Sequence, residues 1–349
     1  MNLLPRDGLK CESSARPRME KSRWFKALAM VLIAGALVGC STLGTAPTPG
    51  AGALPTPSER REVRLGLALG GGAARGFAHV GVIQVLEEAG LRPGYVAGTS
   101  AGSLVAALYA SGKTPAELVR VAETMQEADI TDWMLPILNR GALRGEALAK
   151  YVNTQVGGLS LEQMKIPLGI VATDLGSGES ITFRRGNTGS AVRASSAVPA
   201  VFLPVRVGDR EYVDGGLVSP VPVRQTRDLG ANFVIAVDIS SDPEGNPSAD
   251  TFQILMQTFT IMGKSINTLA LKDADFVVRP ALSGVKSSDF GARLRSIEAG
   301  RVAMMKGAVT AANSAFESVQ KAVKQATDLA ESNLASVTQS VTPKAGKKK

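Results

Sequence analysis

The sequence predicts an α/β fold of three layers, in which helices cover both faces of a central, mostly parallel sheet. Short apolar segments typical of buried strands alternate with segments of helical periodicity, the order that gives parallel strands joined by helices. Glycine-rich turns follow two of these strands, at residues 70–76 and 98–102. The 349 residues are 44% hydrophobic and 20% charged, which suits one domain of this class with further segments at its ends.

The first 40 residues are predicted to be an export signal. Basic residues precede an uninterrupted apolar stretch from Ala27 to Val38, which is too short to span a bilayer as a helix. Small residues then lead to Cys40, an ending that resembles a bacterial lipobox, so we expect Cys40 to be lipidated at the start of the mature protein. Met19 is a candidate for the true start, and a plain signal peptide with an incidental cysteine is the alternative. Ser41 favours anchoring in the bacterial outer membrane, facing the periplasm.

The remaining chain divides into four predicted segments. Residues 41–62 are rich in proline, glycine, alanine and threonine, which predicts a flexible tether. The α/β domain is expected over residues 63–290. Apolar residues three and four apart predict a C-terminal helical segment over 291–335, packed on its own domain, with dimerisation or a membrane surface as alternatives. Residues 336–349 are Lys-rich and are predicted to be disordered.

Composition and charge exclude several classes of function. The formal net charge of +8 is carried by the two ends of the chain, and the basic and acidic residues between them balance. A nucleic-acid partner is therefore not expected, because such binding needs positive charge on the folded surface. One histidine and two cysteines are too few for a structural zinc site of the usual Cys/His kind.

The first glycine-rich turn, Gly70-Gly71-Gly72-Ala73-Ala74-Arg75-Gly76, joins a strand over 64–69 to a helix that ends at Gly90. Backbone N–H groups are free at the start of a helix, and the helix dipole there favours negative charge. The dinucleotide-binding pattern Gly-x-Gly-x-x-Gly is not met, because position 75 is arginine.

The second turn has the pattern Gly-x-Ser-x-Gly. Gly98-Thr99-Ser100-Ala101-Gly102 lies between a strand over 95–97 and a helix that runs to Ala110. This strand–turn–helix setting is that of a nucleophile elbow, in which small neighbours permit a sharp turn that exposes the serine hydroxyl. We therefore predict that Ser100 is a nucleophile.

The position of the single histidine excludes the known orders of a Ser-His-Asp triad. His79 precedes Ser100, no aspartate lies between them, and only Asp7 in the predicted signal precedes His79. A carboxylate must then accept the serine proton. Asp214, in the sequence Asp214-Gly215-Gly216 at the end of a predicted strand, is the candidate, and a purely structural Asp-Gly turn is the alternative.

Taken in order along the chain, these three motifs resemble the patatin-like phospholipase family. Residues 166–174 and 194–202 also resemble conserved blocks of that family, so that the resemblance covers about residues 63–240. It implies a patatin-like three-layer fold with a nucleophile elbow, and a dyad of Ser100 and Asp214. The family loop is often Gly-x-Gly-x-x-Gly, whereas one more residue separates Gly72 from Gly76 here.

The resemblance also implies supporting roles. The amides of Gly70, Gly71, Gly72 and Ala73 would form the oxyanion hole, and Arg75 and Gly76 would shape its loop. Gly98 and Gly102 would belong to the elbow, and Gly215 and Gly216 to the turn after the base. His79 is expected to be a helix residue that faces the glycine loop.

The function implied is a serine acyl hydrolase that cleaves ester bonds of phospholipids or related lipids through an acyl-enzyme. It needs no metal or organic cofactor, and its partner is membrane lipid. A general carboxylesterase or thioesterase on soluble esters is one alternative, and a non-catalytic envelope scaffolding lipoprotein is another. The sequence leaves open the oligomeric state and whether residues 133–143 form a lid over the site or a buried loop.

Overall fold

The structure is a computed structural model that describes residues 62–132, 141–244, 246 and 248–341. Four of the sequence predictions therefore lie wholly or mainly outside the described residues. They concern the export signal with Cys40, the tether over 41–62, the candidate lid over 133–143, of which only Gly141–Leu143 is described, as a strand, and the tail over 336–349, of which only 336–341 is described.

The described chain contains ten strands, eight of which form one mixed sheet. The order across that sheet is β10-β9-β1-β2-β4-β8-β7, with β5 paired to β4, while β3 and β6 form a separate parallel pair. The strands are β1 (Leu65–Leu69), β2 (Tyr95–Thr99), β3 (Gly141–Leu143), β4 (Leu168–Asp174), β5 (Ser180–Phe183), β6 (Ala200–Phe202), β7 (Val205–Val207), β8 (Arg210–Asp214), β9 (Phe233–Val237) and β10 (Phe276–Val278).

The five strands from β10 to β4 are mutually parallel, which confirms the predicted mostly parallel sheet. Strands β5 and β8 run antiparallel to β4, and β7 runs antiparallel to β8. The central strands are short apolar runs buried on both faces, as expected for parallel strands covered by helices.

Helices cover both faces of the sheet and complete the three predicted layers. Leu67 and Leu69 of β1 pack in one apolar cluster with Ile83, whereas Ala68 packs in another with Val223 on the opposite face, as the alternation of a strand requires. The helices are α1 (Phe77–Glu88), α2 (Ala101–Ala110), α3 (Pro115–Thr124), α4 (Glu146–Gln155), α5 (Thr188–Ser195), α6 (Val223–Asp228), α7 (Thr251–Ala270) and α8 (Arg293–Val341).

The long helix α8 packs against α1 through its first turns. A Cβ atom at Gly81 would lie 1.9 Å from the Ile297 carbonyl oxygen, and one at Gly300 would lie 2.0 Å from that of Ala78. Glycines at these two positions therefore allow the helix backbones to touch. Farther along α8 the apolar side chains are exposed: Phe316 has 62% of its surface accessible.

The end of α8 corrects one prediction. The helix continues to Val341, so residues 336–341 are helical rather than part of a disordered tail. Neither glycine nor proline occurs between Gly307 and Pro343, so nothing in the composition interrupts the helix earlier.

Candidate active site

Strand β4 brings the ends of β2 and β8 together. Both pair with the same edge of β4, because β5 covers the other edge. Thr99 lies opposite Val171, and Asp214 lies opposite the next residue, Ala172. Since β2 and β8 run toward each other along this edge, Ser100, which follows Thr99, meets Asp214 at the junction.

Ser100 occupies a strained turn between β2 and α2. Its backbone has φ 53° and ψ −125°, a conformation that residues other than glycine rarely adopt and that costs about 1–3 kcal/mol. The flanking glycines make the turn possible. A Cβ at Gly98 would lie 2.4 Å from the Gly102 carbonyl oxygen, and one at Gly102 would lie 2.1 Å from that of Leu69. The predicted elbow geometry is present at this serine.

A second serine fixes the elbow from the side. Ser195, the last residue of α5, is fully buried, and its hydroxyl oxygen accepts the Ser100 backbone N–H at 2.9 Å. The same hydroxyl donates to the Val171 carbonyl oxygen at 2.5 Å. Sequence reasoning placed Ser195 in a block that resembles the family but assigned it no role, because its position depends on how α5 packs beside β4.

Asp214 ends β8 as a buried carboxylate with one free oxygen. Only 6% of the residue is exposed. Its Oδ1 atom accepts the Gly216 backbone N–H at 2.6 Å, while Oδ2 is buried without a hydrogen-bond donor among the described residues. Burial raises the pKa of Asp214 to about 6, although the nearby Ser100 hydroxyl and the Gly216 N–H partly oppose the rise.

Ser100 and Asp214 therefore form a pair suited to proton transfer. The hydroxyl is near enough to affect the carboxyl pKa, and Oδ2 has an unused acceptor position. A base whose pKa lies near the working pH is the most effective proton acceptor. Hydrogen bonds at a catalytic pair commonly tighten only when substrate is bound.

The glycine-rich turn passes directly against Ser100. A Cβ at Gly71 would lie 3.2 Å from the Ser100 Cβ. The amides of Gly70 and Gly71 already donate to the carbonyl oxygens of Val237 and Pro220, at 3.1 and 2.9 Å. This corrects the expectation that these two amides face an oxyanion.

The next two amides of the turn are available. Those of Gly72 and Ala73 have no acceptor within the described part of the chain. The Gly72 carbonyl oxygen accepts from the backbone N–H of Arg75 at 3.2 Å and from its Nε at 3.3 Å. In a trans peptide, this directs the Ala73 N–H to the opposite side. A Cβ at Gly76 would lie 2.9 Å from the Ala101 Cβ, so that Gly76 lets the turn lie close to α2.

His79 supports the turn, and no hydrogen bond joins it to Ser100 in the described structure. It is fully buried in α1, and its Nε2 donates to the Gly70 carbonyl oxygen at 2.8 Å, so the histidine faces the glycine loop. Burial lowers the pKa of His79 to about 4, although this hydrogen bond and Asp238 partly oppose the change. The imidazole is therefore neutral at pH 7.

Ser100 and Asp214 lie in the wall of a cavity of about 650 Å³. This volume is within the range of pockets that bury small organic ligands. Apart from Ser100, Asp214 and the glycine turn, most of the lining is apolar and comes from helices, from strand β6 and from the segments that connect them. It includes Leu104, Met125, Leu148, Val201, Phe202, Met256, Phe259 and Phe290.

Comparison with known proteins finds matches over the part of the chain that carries this site. The patatin-like phospholipase family model matches residues 67–227. An uncharacterized NTE family protein of Mycobacterium tuberculosis (strain ATCC 25618 / H37Rv) is 37% identical over 203 residues, which cover 56% of each chain. Patatin-like phospholipase domain-containing protein 6 of Mus musculus is 29% identical over 216 residues, 60% of this chain and 16% of the mouse protein.

A solved structure shares the fold. The crystal structure of VipD from Legionella pneumophila superposes with a TM-score of 0.51 at 14% sequence identity, covering 71% of this chain and 67% of VipD. At this identity the likeness concerns the fold alone. It agrees with the mixed, mostly parallel sheet flanked by helices.

Proposed function

Because residues 67–227 belong to the patatin-like phospholipase family, we propose that this protein is a serine acyl hydrolase acting on ester bonds of phospholipids or related lipids. One observation supports the proposal most. The hydroxyl of the strained Ser100 lies beside a buried carboxylate with a free oxygen, in the wall of a mainly apolar cavity.

In the proposed first half-reaction, the Ser100 Oγ attacks the ester carbonyl carbon while Asp214 takes the proton of the Ser100 hydroxyl. The carbonyl π electrons move to the oxygen, where the amides of Gly72 and Ala73 stabilise the negative charge. Collapse of this intermediate breaks the bond to the leaving alcohol. Asp214 returns the proton to that alcohol, leaving an acyl-enzyme on Ser100.

In the second half-reaction, water takes the place of the alcohol. The water attacks the acyl carbon while Asp214 accepts one of its protons, and the same amides stabilise the second oxyanion. The carboxylic acid leaves, and the proton on Asp214 returns to Ser100. The neutral His79 holds the Gly70 carbonyl oxygen throughout and exchanges no proton with the substrate.

The apolar cavity favours a long acyl chain over a short one. We expect the purified protein to hydrolyse a fluorescent long-chain phospholipid with a larger kcat/KM than a short-chain p-nitrophenyl ester, because the long chain buries more apolar surface in the cavity. Fluorimetry and absorbance assays run side by side measure this ratio. A larger kcat/KM for the short ester would instead indicate a general carboxylesterase, and no turnover of either would indicate a scaffolding protein.

Ser195 is proposed to position the nucleophile. Ser195→Ala is expected to lower kcat by about 10- to 100-fold with little change in KM, because the partly buried Ser100 N–H loses its acceptor and the elbow relaxes. Ser195→Thr keeps a hydroxyl and should restore most of the activity. Steady-state kinetics with thermal melting checks both variants, and a kcat for Ser195→Ala within twofold of the unsubstituted protein would contradict the role.

The sequence also supports a proposed location. The basic and apolar segments before Cys40 suit a lipid-anchored protein of the bacterial cell envelope, held at the outer membrane and facing the periplasm. Such an anchor would keep the enzyme near lipid substrates. Of the helices in the described ranges, none combines the length and the hydropathy needed to cross a membrane.

A further inference from the structure

Helix α7 has two apolar faces, one turned to the active-site cavity and the other to solvent. Met256 and Phe259 on the inner face line the cavity. On the outer face, Ile254 and Ile261 are each 53% exposed and Met262 is 48% exposed. The helical repeat places these two sets of side chains on opposite sides of the same helix. The helix that forms the cavity wall therefore also presents an apolar surface to the outside.

The exposed apolar side chains of α7 form a row along its outer face. Leu255 is 37% exposed, and Leu269, near the end of the helix, is 66% exposed. The exposed polar residues Lys264, Ser265 and Thr268 separate Leu269 from the rest of the row. Nothing in the described part of the chain covers these apolar side chains. Large contiguous apolar patches are uncommon on the surfaces of soluble proteins and mark sites of interaction.

The charge on α7 indicates what kind of surface the row fits. Among its twenty residues, the one charged side chain is Lys264, whose Nζ lies 3.2 Å from the Asp242 carboxylate. The row therefore presents no unpaired charge to attract an acidic or basic partner. A neutral lipid surface matches an uncharged, apolar helix face.

Polar contacts on the inner side hold α7 in place. Asn267 is buried and donates to the Ser240 hydroxyl at 3.2 Å, and Gln257 donates to the Pro243 carbonyl oxygen at 2.7 Å. Both partners belong to the segment after β9. The helix thus keeps its inner face on the cavity while its outer face stays free.

We propose that the outer face of α7 docks, parallel to the surface, on a layer of neutral phospholipid. This inference rests on the proposed function, in which the substrate lies in such a layer. Docking would place the cavity wall within one helix diameter, about 10–12 Å, of the lipid. The apolar side chains would enter the acyl boundary, as in helices that lie in a membrane surface without crossing it.

A fluorescent label on α7 tests docking without any need for turnover. Ile261→Cys is prepared in the full chain with Cys11 and Cys40 replaced by serine, and is labelled with an environment-sensitive dye. Val319→Cys on α8, which is 59% exposed in an apolar row distant in sequence, is the matched control. On addition of phosphatidylcholine vesicles, we expect the emission to move to shorter wavelength at position 261 and to stay unchanged at 319.

Three outcomes of the labelling experiment would overturn the proposal. They are no change at position 261, an equal change at both positions, and a change at 261 that follows protein concentration without vesicles. The last would identify a second copy of this chain as the partner of the row.

Kinetics provide the second arm. Replacing Ile254, Ile261 and Met262 together with glutamine is expected to reduce hydrolysis of vesicle phosphatidylcholine at least five times more than hydrolysis of a dispersed short-chain ester. Val319→Gln with Val323→Gln, an equally exposed pair on α8, should match the unsubstituted protein on both substrates. Equal losses on the two substrates would overturn docking by α7. If the unsubstituted protein hydrolyses neither substrate, the proposed function fails, and the label alone decides the docking.

Discussion

Ser100→Ala is expected to lower ester hydrolysis by at least about 10⁴-fold, for phospholipid and short-chain substrates alike. The hydroxyl is the proposed attacking group, and no other described serine combines the elbow backbone with a neighbouring free carboxylate oxygen. Steady-state hydrolysis measures the loss. A loss confined to one substrate class would contradict the role, because every ester must pass through the same nucleophile.

The control for this variant separates chemistry from folding. Ser318→Ala, on the exposed part of α8, removes a hydroxyl whose hydrogen bond stays within that helix, so activity should remain that of the unsubstituted protein. The melting temperature of Ser100→Ala should stay within a few degrees of the original. Alanine fits the same space, and the strained backbone is held by Gly98, Gly102 and Ser195.

Asp214→Asn is the second substitution with a large expected effect. Asparagine can still accept the Gly216 N–H, but it cannot take a proton from Ser100, so hydrolysis should fall by about 10³- to 10⁴-fold. Stability should change in the opposite direction. The buried carboxylate has a pKa of about 6, above its ordinary 3.8, so its charged form opposes folding, and removing it stabilises the protein at neutral pH.

The effect of Asp214 on stability depends on pH in a definite direction. Between pH 4 and 6 the unfolded state loses the Asp214 proton before the folded state does, so the charge increasingly costs stability as the pH rises. Asp214→Asn should therefore be more stable than the unsubstituted protein by on the order of 2 kcal/mol above pH 7, and the gain should vanish near pH 4. Thermal or urea unfolding at several pH values measures it.

The activity of the unsubstituted protein should follow the same carboxyl group. The base must be ionised, so log kcat/KM should fall by about one unit per pH unit below about pH 6 and level off above it. Asp209→Asn, in the exposed turn before β8, is the matched control and should leave the profile unchanged. A profile that is flat from pH 4 to 8 would exclude Asp214 as the base.

Parts of the site could be predicted because they depend on local sequence. The Gly-x-Ser-x-Gly pattern between a strand and a helix specifies a sharp turn, and the structure has that turn at Ser100. The lone histidine excluded a conventional triad by its position, which left a carboxylate such as Asp214. In the structure, His79 donates a hydrogen bond to the Gly70 carbonyl oxygen, and the low pKa of this histidine keeps it neutral.

Other parts could not be predicted because they depend on contacts between distant segments. Pairing of β2 and β8 with one edge of β4 brings Ser100 to Asp214, and no spacing in the sequence encodes it. The same holds for Ser195 at the elbow. Which amides of the glycine turn are free also depends on distant residues. The carbonyl oxygens of Val237 and Pro220 accept the N–H groups of Gly70 and Gly71, so that only the following amides remain available.

The two faces of α7 also could not be predicted from the sequence. The helix carries apolar side chains on most of its sides, so its periodicity does not show which face lines a cavity and which meets solvent. The two faces of α7 can be distinguished only in the folded structure, in which the inner face lines the cavity that contains Ser100.

The most direct test of the Ser100–Asp214 dyad is the rate of covalent labelling by a fluorophosphonate, with the modified residue identified by peptide mass spectrometry. We expect the label on Ser100, at a rate that rises with pH through about 6, unchanged in His79→Gln that remains folded, and at least a hundredfold slower in Asp214→Asn. A label on another residue would contradict the dyad, and so would an Asp214→Asn protein labelled as fast as the unsubstituted one.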